Sequence, residues 1–149
     1  MLLKVGGQPK PGYVSSVPGA QLEVCVPLPA DMAVGAHRRH AFAYLASHWK
    51  MGIVTSDCFG TCTCPSGQLD AHVPGGRTSV TQVSPQVVVR KVRDVGGATG
   101  CGCFVRLTVS NQSRSGGYDF KVIAFFSGLG VVDYYAKVML KAGLARIAR

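Results

Sequence analysis

Alternation of apolar and polar residues is the feature that most restricts the fold of this chain. In CFVRLTVSN (103–111), every second residue from Val105 is a large aliphatic side chain. The same period of two runs through QLEVCVPLP (21–29), and QVVVRKVRDV (86–95) contains three consecutive valines. Period-two alternation and β-branched residues are typical of strands. With 19 glycines and 8 prolines supplying turns, the pattern predicts an all-β fold, an antiparallel sandwich or barrel.

Further strands are predicted between the turns. SGQLDAHV (66–73) ends at a Pro-Gly-Gly turn, and TSVTQV (78–83) follows it. YDFKVIAFFSG (118–128) is separated from the strand at 103–111 by the polar segment QSRSGG. The simplest prediction is that these last two strands form a β-hairpin with a polar connection.

One segment has the composition of a helix. DMAVGAHRRHAFAYLASHW (31–49) begins with a capping aspartate and is rich in Ala, Met and Leu. Phe42, Leu45 and Trp49 recur at spacings of three and four. We therefore expect a short helix that leads into a strand at Ser47–Thr55, with Trp49 as the anchor where helix meets sheet.

The length of 149 residues suits one domain with two terminal arms. Residues 1–20 are rich in Gly, Pro and Ser and predict an extended N-terminal arm. Residues 21–128 are assigned to the β-sandwich. Residues 129–149 have apolar side chains at roughly helical spacing with basic residues between them, which predicts an amphipathic helix or a surface-wrapping arm.

The charge of the chain indicates its partners. Only 15% of residues are charged, against roughly 25% in typical soluble domains, so much of the surface is expected to face other subunits. The net charge of +9 favours polyanions, above all nucleic acid. The basic residues are dispersed, which predicts diffuse phosphate contact and not sequence reading. They fall in three groups: Arg38-Arg39, Arg90-Lys91-Arg93 and Lys137-Lys141-Arg146-Arg149.

The lengths of the apolar segments indicate the cellular compartment of the protein. No apolar run reaches the roughly 18 residues that a membrane-spanning helix needs. The start, MLLKVGGQPKPGY, lacks the apolar core of a signal peptide. The six cysteines are therefore expected to be reduced thiols in a cytosolic setting.

The cysteine spacing leaves a metal site open. Cys62-Thr63-Cys64 and Cys101-Gly102-Cys103 are two C-x-C pairs, and four thiolates can bind zinc tetrahedrally. This requires the two pairs to be neighbours in the sheet, which a sequence does not show. The competing interpretation is that these cysteines are small buried packing residues.

A cysteine nucleophile is the second possibility. TGCGCF (99–104) places Cys101 between glycines, whose free backbone suits an oxyanion hole. This fragment resembles the G-x-C-G-G element of picornaviral chymotrypsin-like cysteine proteases, which implies a pairing of Cys101 with His48. SHWKMGIV and GCGCFV also resemble the H-box and NC-box of the non-proteolytic picornaviral 2A proteins, with Gly100 where that family has asparagine.

Other chemistry has little support in the sequence. One glutamate and six scattered aspartates give no carboxylate pair at a useful spacing, and no phosphate-binding glycine motif is present. His37, His40 and His72 lack a clear metal spacing and are interpreted as surface or packing residues.

The order of the predicted elements resembles picorna-like viral capsid proteins. SHWKMG (47–52), SGQL (66–69) and PGG (74–76) resemble the C–D strand region of the viral jelly roll. In this resemblance QLEVCVPLP is the preceding B strand, and the segments 103–111 and 118–128 are strands H and I. Residues 77–100 are short for the strands E, F and G of a full eight-stranded roll.

The resemblance implies an antiparallel β-sandwich of jelly-roll type, either full or abbreviated, that acts as a structural coat subunit and not as an enzyme. Such a subunit assembles in the host cytoplasm with sibling chains around RNA and is found in the virion, without a cofactor or a membrane. The alternatives remain a small viral cysteine protein with His48 and Cys101, and a zinc-stapled nucleic-acid-binding module.

Overall fold

The computed structural model describes strand residues 4–5, 8–9 and 146–148 and the continuous stretches 12–94 and 101–127. These residues form strands and no helix, and hence no helix that could cross a membrane. The strands are β1 Lys4–Val5, β2 Gln8–Pro9, β3 Gly12–Ser15, β4 Gln21–Val26, β5 His37–Ala46, β6 Ile53–Gly60, β7 Cys62–Thr63, β8 Gly67–Asp70, β9 Val80–Val83, β10 Val87–Lys91, β11 Cys103–Val109, β12 Phe120–Ser127 and β13 Arg146–Ala148.

Two antiparallel sheets share one core, the arrangement of a β-sandwich. The seven-stranded sheet has the order β13-β3-β12-β5-β10-β7, and β9 also pairs with β5. The four-stranded sheet has the order β4-β11-β6-β8. β1 and β2 pair only with each other among the described strands. The predicted all-β class is therefore confirmed.

Alternation determines which side chains fill the core between the sheets. In β11, the residues from Cys103 to Val109 are alternately buried and half-buried, as predicted. β5 contributes Phe42 and Tyr44 from the opposite sheet, and the Tyr44 ring stacks on Phe120 with centroids 5.8 Å apart. A single hydrophobic core thus joins the two sheets.

The predicted helix at 31–49 is wrong. His37–Ala46 is the central strand β5, paired with β12 on one side and with β9 and β10 on the other. The physical reason is that Phe42, Tyr44 and Ala46 face the core at a period of two, while Leu45 is buried on the other face. Trp49 is not an anchor, since it lies in the turn after β5 with 65% of its surface exposed.

The predicted hairpin at 103–128 is also wrong, although both of its strands exist. β11 lies between β4 and β6 in the four-stranded sheet, whereas β12 lies between β3 and β5 in the other. The connection from 110 to 119 therefore crosses from one sheet to the other. Each of the two strands buries an apolar face in the shared core. Two strands can both do so when they lie in opposite sheets, one on each side of the core.

The ends of the chain contribute to the larger sheet. Gly12–Ser15, within the predicted N-terminal arm, pairs with β12 as β3, so the sheet begins before residue 21. Arg146–Ala148 pairs with β3 at the sheet edge. The remainder of the predicted C-terminal helix or arm lies outside the described residues.

Candidate functional site

Three disulfides gather at one end of the sandwich, and we call them the disulfide cluster. The register explains this, because Cys103 lies opposite both Val26 at the end of β4 and Gly60 at the end of β6. The Cα atoms of the three pairs are 5.2 to 5.7 Å apart, within the range of disulfides. The pairs are Cys25–Cys101, Cys58–Cys64 and Cys62–Cys103.

This pairing corrects the expectation of reduced thiols, since all six cysteines are oxidised in the structure. It also answers whether the two C-x-C pairs face each other. Cys62 does bond Cys103, but Cys64 and Cys101 bond cysteines elsewhere, so the four do not form a thiolate set for zinc. Among the described residues, no group of three or more Cys, His, Asp or Glu side chains is placed to hold a metal ion.

The predicted pairing of His48 with Cys101 is wrong. Cys101 is bonded to Cys25 and has no free thiol. His48 is exposed in the turn before β6, whereas Cys101 directly precedes Gly102, whose carbonyl accepts a hydrogen bond from the N–H of Thr61 just beyond the far end of that strand. The strand between these two ends, β6 Ile53–Gly60, has 8 residues and is roughly 25 Å long.

Beside the disulfide cluster lies a group of exposed cationic side chains. Strands β5 and β10 pair so that His37 lies directly opposite Arg90, and side chains of such a cross-strand pair share a face. Arg39 is two residues from His37 along β5 and therefore projects from that face as well. Arg38 alternates to the opposite face, where it pairs with buried Val89, and Arg93 follows the end of β10; both are exposed at the same end of the two strands. We call the exposed cationic group at this end the basic patch; it comprises His37, Arg38, Arg39, Arg90 and Arg93.

The acidic residue that follows Arg93 in the chain, Asp94, pairs with Lys91 and not with an arginine of the basic patch. Lys91 is buried with 4% of its surface exposed, and its Nζ donates to the carbonyl of Met32 and pairs with Asp94, both at 2.6 Å. None of the four patch arginines forms an ion pair within the part of the chain described. The arrangement presents guanidinium groups to solvent, where they can bind phosphate.

A buried histidine lies next to the basic patch. His40 is 5% exposed, and its Nε2 has no hydrogen-bond partner in the described structure. Burial lowers its pKa below 6.5 and the positive charge of Arg38 lowers it further, while a hydrogen bond with the backbone of Phe126 opposes them. His40 is therefore held neutral at neutral pH.

The outer face of the four-stranded sheet differs, because its charges are paired. Arg106 makes a bidentate contact with Asp57 on the neighbouring strand, and Glu23 lies opposite Arg106 on the other side. The hydrogen bond from Arg106 to Asp57 raises the pKa of the guanidinium. Phe59 and Phe104 stack beside this row with centroids 5.1 Å apart. Among the residues the structure describes, the Asp57–Arg106 pair thus distinguishes this face from the basic patch, whose arginines form no ion pair.

The other residues considered from sequence lie apart from the basic patch. His72 is half-buried and forms a β-bridge with Ser47. The basic group at 137–149 lies outside the described residues except for Arg146, whose backbone is in β13. Sequence reasoning missed the Asp57–Arg106 pair, for which only the strand register is a guide.

Searches of protein families, curated proteins and solved structures found nothing that matches this chain.

Proposed function

We propose that this chain is a viral coat subunit of jelly-roll type that assembles with other copies and sibling chains around RNA. The observation that carries the proposal is the strand order. An eight-stranded jelly roll, labelled B to I along the chain, divides into the sheets B-I-D-G and C-H-E-F. Eight strands of this chain, in the orders β3-β12-β5-β10 and β4-β11-β6-β8, correspond to these two sheets, and β7, β9 and β13 are additional strands of the larger sheet.

This correspondence revises the strand assignments made from sequence. The segments 103–111 and 118–128 remain H and I, but QLEVCVPLP becomes C, and the helix-like segment becomes D. β6 and β8 then take the places of E and F, and β10 takes the place of G. The shortage of strands in 77–100 disappears, because that interval needs to supply only G.

The basic patch supports RNA as the packaged partner. Its four arginines lie on exposed positions near one end of β5 and β10, without ion-pair partners among the described residues. Exposed guanidinium groups of this kind bind phosphate irrespective of base, which suits a shell that neutralises packaged RNA without reading its sequence. The disulfide cluster supports a particle that persists in an oxidising medium, since disulfides are stable there.

The proposal is tested with oxidised protein mixed with single-stranded RNA at low salt and viewed by negative-stain electron microscopy. Closed particles of uniform size are expected, with sibling chains added if the chain alone does not close. A protein that binds RNA but forms no particles under any of these conditions would refute the coat function.

The role of the basic patch is tested separately by RNA affinity as a function of salt. Arg39→Gln with Arg90→Gln should flatten the slope of log K against log salt by about 1.4, since each single-strand phosphate contact contributes about 0.7. Arg114→Gln is the matched control, because that arginine is exposed but lies in the loop after β11, away from the patch. Equal slopes for both variants would exclude the patch as the RNA contact.

A further inference from the structure

The edge of the seven-stranded sheet is covered along only part of its length. β10 pairs with β5 on one side and with β7 on the other. β9 pairs with Ala43–Ala46 of β5, and among the described strands it has no second neighbour. Within the described part of the chain, its outer edge therefore presents backbone N–H and C=O groups that no strand pairs and that can pair with another strand.

This uncovered edge lacks the usual protection against pairing. Natural edge strands commonly carry charged residues that discourage the approach of a second strand. The stretch from Thr78 to Val89 contains no charged residue, although the chain carries a net charge of +9. All four residues of β9 are exposed, and Val83 is 63% exposed.

We propose that β9 pairs antiparallel with β9 of a second copy, so that the two larger sheets become one continuous sheet across a two-fold axis. Such an axis is perpendicular to the sheet and keeps each face on its own side, so inward residues lie opposite inward residues. A register centred on Gln82 satisfies this condition and places Thr81 of each copy opposite Val83 of the other.

The side chains of β9 are self-complementary in this register. Thr81 and Val83 are both β-branched, and such cross-strand pairs stabilise sheets. The Oε1 atom of Gln82 accepts a hydrogen bond from the Tyr44 hydroxyl at 2.8 Å, which fixes the amide and leaves its N–H groups to donate across the axis. A second copy is therefore the occupant that this edge fits, and the contact does not depend on the coat function.

Cysteine cross-linking tests the register. The six native cysteines are all paired, so Gln82→Cys adds one thiol that has no partner within the chain. Mild oxidation should convert most of this variant to a disulfide-linked dimer. Gln68→Cys is the matched control, since Gln68 is also an exposed strand residue but lies in β8 of the other sheet. Equal cross-linking of the two variants would refute the pairing.

Sedimentation equilibrium tests the contact without a cross-link. Val83→Lys places a charge on the edge and should weaken dimerisation at least tenfold, whereas Val83→Thr keeps the β-branch and should retain the dimer. A wild-type protein that stays monomeric, or a Val83→Lys variant that dimerises equally well, would overturn the inference. Dimers without particles in electron micrographs would support the β9 contact and refute the coat function. Particles formed by a Gln82→Cys variant that does not cross-link would support the coat function and refute the β9 contact.

Discussion

The disulfide between Cys62 and Cys103 joins the two sheets of the sandwich. Cys62 lies in β7 of the seven-stranded sheet and Cys103 in β11 of the four-stranded sheet, and both are almost fully buried. This bond closes a separation of 41 residues, whereas Cys58–Cys64 closes a separation of 6. The two bonds are therefore expected to differ in what they contribute to stability.

Removing the inter-sheet bond with Cys62→Ala and Cys103→Ala should lower the free energy of unfolding by about 3 to 4 kcal/mol, because the unfolded chain loses a long cross-linked loop. Removing Cys58 and Cys64 in the same way should lower it by about 2 kcal/mol. Urea denaturation without reductant measures both values. A larger loss for the short loop would contradict the entropic argument.

Gly60, at the end of β6, should not tolerate a larger residue. Its φ is +89°, and a Cβ there would overlap the backbone carbonyl oxygen of Gly102. Gly60→Ala should therefore destabilise the protein by more than the roughly 1 to 2 kcal/mol of a left-handed alanine alone. Gly75→Ala is the control, with φ +74° and open space around its Cβ. Equal thermal unfolding midpoints for the two variants would show that the overlap is relieved at no cost.

Acid should destabilise the fold through His40. Its pKa is lowered in the folded state, first by burial and then by Arg38, so the unfolded state takes up the proton more readily. Neutral His40 makes its full contribution to the free energy of unfolding above pH about 6.5. This contribution declines as the pH falls below that value toward the pKa of His40 in the folded state.

The free energy of unfolding is measured between pH 4.5 and 8, a range that spans the ordinary histidine pKa of roughly 6.5. His40→Gln should remove part of the decline below neutrality, and Arg38→Gln should reduce it. His37→Gln controls for the loss of an exposed histidine on the same strand. An unchanged decline in the His40→Gln variant would show that other groups cause it.

Lys91 and Asp94 should respond unequally to replacement. Asp94→Asn leaves the buried ammonium group of Lys91 with the Met32 carbonyl as its hydrogen-bond acceptor among the described residues, and the free energy of unfolding should fall by about 1 to 3 kcal/mol. Lys91→Met removes the buried charge and leaves an aspartate that is 76% exposed, so its loss should be smaller. Chemical denaturation of the two variants, with Asp31→Asn as an exposed control, decides the order.

The sequence predicted strands well where one face of the strand is buried and the other is not. The alternation from Val105 to Val109 matches the burial of β11. Prediction from the sequence failed at β5, because the apolar residues of a central strand lie on both faces and their pattern is then similar to that of a buried helix. Ala and Leu in this segment also have high helix propensity. Packing between β12 and β10 overrides that propensity.

The candidate site was visible in the sequence only as separate pieces. Arg38-Arg39 and Arg90-Lys91-Arg93 are basic groups about fifty residues apart, and only the pairing of β5 with β10 makes them neighbours. The cysteine pairing failed for the same reason, since Cys103 meets Cys62 through sheet register. A cytosolic setting also implies reduced thiols, so the sequence did not predict disulfides.

The connectivity of the disulfide cluster has a consequence for how the chain reaches its native state. Along the sequence, Cys62–Cys103 crosses both of the other bonds, because one of its ends lies inside each of their loops and the other end lies outside. Six thiols allow many alternative pairings, and neighbours such as Cys62 and Cys64 can be confused early. Oxidative folding of the reduced chain is therefore expected to pass through scrambled isomers, and its rate should depend on a thiol–disulfide exchange catalyst.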